Sequence, residues 1–154
     1  MTDKQTIEKY VTDTEQSLIG NYKRMGLKAS GLWERELEGK STERPNGWRI
    51  TFLGTKYTEQ LIYGRRPNKD QSKKAIRAFV GWAGNTFLAD WVKDKGLIAN
   101  PFAVAYKIAT KGIEVPSRFN TGDLLSAVFN TENLDGLLSS LRDAKLNEIR
   151  EIWR

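Results

Sequence analysis

An α+β domain, with several helices packed on a small antiparallel sheet, is the fold class this sequence predicts. Three observations carry the prediction. Apolar residues recur at helical spacing near both ends of the chain. Two short stretches alternate apolar and polar residues on either side of a Pro-Asn-Gly turn. A succession of helical patterns then follows with no further strand signal. At 154 residues, 39% hydrophobic and 29% charged, the chain is long enough for one domain, residues 1–154, with a sizeable core.

The first helix runs from residue 3 to about 26, with Ile7, Tyr10, Val11, Leu18, Tyr22 and Met25 on its apolar side. Thr2 or Asp3 caps its start and Gly26 ends it. "LWERELEG" then alternates, placing Trp33, Arg35 and Leu37 on one side and Glu34, Glu36 and Glu38 on the other, as a strand with one wet face would. "KSTERPNG" reads as a turn, and "GWRITFLG" as a second strand with Trp48, Ile50 and Phe52 inward. Residues 33–53 are thus expected to form a hairpin whose apolar face a helix covers, since two strands alone are unstable in water.

"TKYTEQLIYG" predicts a short helix stopped by Gly64. A long helix is expected from Asp70 to Gly96, with Ile76, Phe79, Val80, Ala83, Phe87 and Trp91 on one face. A third has signals at both ends: Asn100 as cap, Pro101 in the first turn, and Lys111-Gly112 as stop. A short helix is expected between Thr121 and about Asn130. A C-terminal helix is marked by Leu134, Leu137, Leu138, Leu141, Ile149 and Ile152.

The residues that are missing narrow the chemistry. Histidine and cysteine are both absent, which removes the commonest general base, the commonest metal ligands, thiol chemistry and disulfides. No Ser-His-Asp or Cys-His system can be built, and no phosphate-binding glycine loop of the GxxxxGK[ST] or GxGxxG kind occurs. No apolar run approaches the roughly 20 residues that span a bilayer, so no membrane partner is expected. The polar start, Asp3-Lys4-Gln5, lacks the pattern of a secretory signal. These features predict a protein without catalysis, cofactor or metal. Were it an enzyme, Tyr57, Tyr63 and Glu59 would be the residues to suspect. The Glu34, Glu36, Glu38 row spaces its carboxylates about 6–7 Å apart on a strand, but it reads as an ordinary solvated face or as the counterpart of a basic neighbour.

The net charge of +6 is uneven. Residues 1–64 carry 10 basic and 9 acidic side chains, residues 65–120 carry 11 and 4, and residues 121–154 carry 4 and 6. The excess begins in "YGRRPNKDQSKKAIRAFVGW", where Arg65, Arg66, Lys69, Lys73, Lys74 and Arg77 surround a single acid, Asp70. Three roles fit this run: a solvated loop and first helical turn, a nucleic-acid surface acting on phosphates, or a contact within an assembly. Lys73 and Lys74 are unfavourable for the dipole so early in a helix, which suits an external partner. Trp82 lies off the apolar stripe of its helix and Trp153 is penultimate, so both are candidate interface aromatics.

The order of segments resembles the tail-completion and head-to-tail connector proteins of tailed bacteriophages. The likeness is carried by "KASGLWERELEG", "GWRITFLG", "KYTEQLIYGRRP", "ADWVKDKGL", "PFAVAYKIATKGI" and "TGDLLSAVFNTENLDGLLSSLRDA", in that order, over roughly residues 5 to 150. The resemblance implies an α+β structural protein of the virion neck or tail, made in the host cytoplasm. It implies a homo-oligomeric ring, of about 12 or 6 copies, joining portal or head to tail around the DNA channel. Its implied partners are other copies of itself, portal, adaptor or tail-tube proteins, and, without sequence preference, genomic DNA. It implies no cofactor and no catalytic residues. The long segment from Asp70 to Gly96 departs from shorter forms of that family. A small basic nucleic-acid-binding protein without catalysis is the alternative.

Overall fold

The computed structural model describes residues 2–27 and 31–152. Its elements, in order, are α1 (Asp3–Arg24), α2 (Leu32–Glu36), β1 (Glu38–Arg44), β2 (Gly47–Leu53), α3 (Thr58–Tyr63), α4 (Lys73–Asn85), α5 (Phe87–Asp94), α6 (Pro101–Lys111) and α7 (Thr131–Ile152). This is the expected α+β arrangement: an N-terminal helix, one antiparallel two-stranded sheet and a helical C-terminus.

Helix α1 begins at a capping box. The Thr2 hydroxyl accepts from the Gln5 amide at 3.3 Å, and the Gln5 side chain accepts from the Thr2 amide at 2.9 Å. Ile7, Val11, Leu18 and Tyr22 form its buried stripe. Leu18 and Tyr22 meet Trp33, Leu37, Leu124 and Val128 in the first core, with Phe52, Leu61 and Ile62 packed around them. Trp33 is 1% exposed, its ring centroid lies 4.7 Å from that of Tyr22, and its indole N–H donates to the Thr58 hydroxyl at 3.0 Å.

The first expected strand is displaced. Residues 32–36 are helical, and the strand starts only at Glu38. Trp33 and Leu37 are both buried, and a separation of four satisfies a helical face as well as an alternating one. Most of the expected turn is strand instead, leaving Pro45-Asn46 as a two-residue connection. The pairing Gly39↔Phe52, Ser41↔Ile50 and Glu43↔Trp48 explains how so polar a strand is accommodated. Gly39 and Ser41 are half-buried, and a Cβ on Gly39 would lie 2.6 Å from Val11 and 2.9 Å from the Phe52 ring. Trp48, Ile50 and Phe52 do share the sheet's inner face, half-buried rather than fully so.

A second core joins α4, α5 and α6 through Ala83, Leu88, Ala105 and Ile108. The long helix expected over residues 70–96 is two helices that break at Thr86, whose backbone leaves the helical region at φ −116°, ψ −115°. The Asn85 amide and Thr86 hydroxyl take up the carbonyls of Gly81 and Trp82, both at 2.8 Å. The bend carries Leu88 and Val92 into the core and leaves Phe87, expected inside, 41% exposed. Trp91, also expected in the core, is half-buried and packs edge-on against Phe119.

No helix forms between Thr121 and Asn130, where the chain makes turns. The Asn21 side-chain amide donates to the carbonyls of both Asp123 and Leu124 at 3.0 Å, drawing this segment onto α1. Helix α7 lies along α1, with Ala144 buried and Lys145 paired to Asp3 at 2.7 Å. The two cores are stitched by paired backbone bonds between Arg65 and Ile113, at 2.8 and 2.7 Å. Gly64 and Gly112, at φ 82° and 80°, let those backbones approach. A Cβ on either would lie 2.2 Å from a carbonyl oxygen of the facing segment.

Candidate functional site

The six basic residues of the run do not act as one group. Arg65 belongs to the fold. Its guanidinium donates to the Asn68 side chain at 2.6 Å and to the Ile108 carbonyl at 3.3 Å, and it sits 4.5 Å from the Phe79 ring centroid. Burial pushes the guanidinium below the usual arginine range. The following loop is fixed by backbone bonds: the Asn68 amide donates to the Ala109 carbonyl at 2.8 Å, and the Gln71 side chain reaches the same carbonyl at 3.1 Å.

Arg66, Lys69, Lys73, Lys74 and Arg77 are exposed, and none forms an ion pair with a described residue. The single acid among them does not neutralise them. Asp70 accepts from the Ser72 amide at 2.8 Å, and the bonds from Ser72 hold its carboxyl below the usual carboxylate range. Ser72 in turn caps α4, its hydroxyl accepting from the Ala75 amide at 3.2 Å. Lys73, Lys74 and Arg77 line a shallow open hollow with Ala78. By helical spacing Lys74, Ala78 and Trp82 follow one row of α4 and Lys73, Arg77 and Gly81 the adjacent row, with Trp82 about 180° around the axis from Lys73.

Trp82 is 59% exposed, as its position off the apolar stripe predicts. It is held between Phe79 and Phe87, with ring centroids at 5.9 and 5.5 Å and planes inclined by 61° and 62°. Trp153, the other candidate aromatic, lies outside the described residues. The sequence pattern missed Phe102 and Tyr106, 41% and 57% exposed on α6. Their spacing of four beside the buried Ala105 and Ala109 was the available signal: the small residues face the core, and the aromatic pair flanks it.

The remaining candidates are scattered. Glu34 and Glu36 ride on α2 while Glu38 starts β1, so the expected carboxylate row is not a strand face. Glu34 pairs with Lys23 at 3.2 Å and Glu38 with Lys40 at 2.8 Å. Tyr63 and Glu59 line an open groove with Arg66 and Lys111, whereas Tyr57 packs against the first core, where burial raises its hydroxyl pKa. Among the described residues no three histidine, cysteine, aspartate or glutamate side chains are grouped as a metal would require. No described helix is long and apolar enough to cross a membrane. What the cationic face of α4 can do chemically is attract and hold an anionic polymer. No protein-family model, curated protein or solved structure matches the chain.

Proposed function

We propose that the protein is a structural subunit of a tailed-phage neck, assembling as a ring that joins portal or head to tail around the DNA channel. The observation that carries this reading, beside the order of sequence segments, is the uncovered flank of α7. Leu134, Leu138, Ile149 and Ile152 are 48%, 62%, 51% and 79% exposed, and they continue the apolar stripe whose other edge packs through Leu137, Leu141 and Ala144. The four form two exposed apolar pairs, Leu134 with Leu138 and Ile149 with Ile152, separated along the helix by Arg142 and Lys145, and exposed apolar clusters on a charged protein mark an interaction surface. This flank lies on a different helix from the basic face, and a head-to-tail ring needs two unlike patches on each subunit. In such a ring the five exposed cations of each copy, Arg66, Lys69, Lys73, Lys74 and Arg77, multiply into a collar.

The test is assembly. Leu138→Glu with Ile149→Glu leaves the monomer's circular dichroism intact and abolishes its incorporation beside a portal-type partner, read by native mass and by cryo-microscopy of particles. Wild-type protein seen in particles as a single copy, or missing from them, would overturn the reading.

A further inference from the structure

The outer face of α4 carries a second message, independent of the ring. We propose that this face binds single-stranded nucleic acid, with Lys73, Lys74 and Arg77 on successive phosphates and Trp82 as the stacking platform for a base. Three observations converge. The cations stand without a described acidic partner, so their field is uncompensated. Nothing bulky stands between them: Ala78 floors the hollow they line, and a Cβ at Gly81 would meet nothing within 4 Å. A backbone can therefore approach the helix closely. Trp82 is open to solvent yet fixed by the rings of Phe79 and Phe87, so little side-chain freedom is lost when a base settles on it. Unpaired cations beside a rigid exposed aromatic are the combination by which single strands are bound without sequence preference. A duplex, with its bases stacked inside, would account for the charges but leaves the held indole without a role. An acidic protein partner, whose interface would also take the indole, is the rival that the polyglutamate comparison tests.

The probe is a fluorescent oligothymidylate of about 20 nucleotides, compared with a duplex of equal length and with polyglutamate. Wild-type protein is expected to bind the single strand at about 50 mM salt, with affinity falling steeply as salt rises. Lys73→Gln with Arg77→Gln lowers the magnitude of the log–log salt slope by about 1.4, since each phosphate contact on a single strand contributes about 0.7. Trp82→Leu weakens single-strand binding about 10-fold or more and leaves the salt slope unchanged. Ala78→Glu, an exposed change that keeps every core contact, abolishes binding and guards against a misfolded Trp82 variant. The proposal is overturned if the single strand does not bind. It is equally overturned if duplex binds as tightly and Trp82→Leu changes neither, or if polyglutamate binds in preference to both.

Discussion

Arg65 reaches over Phe79, its guanidinium carbon 4.5 Å from the ring centroid, while its nitrogens hold the Asn68 side chain and the Ile108 carbonyl. One member of a basic run is thereby converted from surface charge into a clamp between the loop, α4 and α6. Arg65→Ala should cost about 1–2 kcal/mol in a urea melt, the lower range for charge-assisted hydrogen bonds at a half-buried site. Arg65→Lys should recover only part of this, because a lysine cannot make the same forked contacts. Stability unchanged in both variants would mean the clamp is not formed in solution.

The neighbouring cations should behave in the opposite way. Arg66, Lys73 and Lys74 are exposed and make no ion pair with a described residue, so replacing all three by Gln should alter stability by less than about 0.5 kcal/mol. The proposed assembly is where the change should register, and more strongly as salt screens the attraction that remains. Normal assembly and full genome retention by the triple variant would leave the run as a solvated face.

Two tryptophans separate the core from the sheet. Trp33 is 1% exposed and hydrogen-bonded, so Trp33→Ala should cost about 3–5 kcal/mol. Trp48 lies on the inner sheet face but only half-buried, so its loss should cost about 1–2 kcal/mol rather than the full figure. Equal losses from the two would contradict the placement of the hairpin at the rim of the first core.

Those two residues also mark how far the sequence could be read. Helices α1 and α6 are legible because their signals are local: Thr2 with Gln5, and Asn100-Pro101 with Gly112. Trp33 and Leu37 sit where alternation and a helical turn coincide, so a helix was legible there only as a strand. The segment from Thr121 to Asn130 depends on Asn21, 102 residues from the Asp123 carbonyl it holds. No local pattern encodes that. At the candidate site the charge and the outward Trp82 were legible. The removal of Arg65 from that charge was not, because it depends on a carbonyl 43 residues away.

The pH profile should have a flat middle. With no histidine and no cysteine, no side chain of ordinary pKa titrates between about pH 5 and 8. Asp70 and Asp123 are held low, chiefly by bonds from Ser72 and from the Thr121 hydroxyl. Their contributions are present above the ordinary carboxylate pKa and fade as pH falls through the lower folded values. Lys145, pushed up to about 12 by bonds to Asp3 and Glu148, contributes below the ordinary lysine pKa and loses that contribution as pH rises through about 12. Thermal melts at low salt should therefore be level in the middle and fall at both ends. Asp123→Asn should flatten the acid limb and leave the alkaline limb alone. An inflection near pH 6.5 would sink this account.

The sharpest check on the helix pair that presents the candidate face comes from two glycines of α4. Gly81 faces open space, so Gly81→Ala should stabilise the protein by about 0.5–1 kcal/mol through helix propensity alone. Gly84 faces α6, and a Cβ there would stand 2.5 Å from the Phe102 ring. The same substitution at Gly84 gains the same propensity but must push that ring aside, and overpacking of this kind costs about 1–3 kcal/mol. The net sign should therefore reverse, with Gly84→Ala destabilising. Phe102→Leu, which shortens the opposing side chain, should restore part of the loss in the double variant and so report coupling between the two positions. If Gly84→Ala stabilises as much as Gly81→Ala, α4 and α6 do not approach as closely as described.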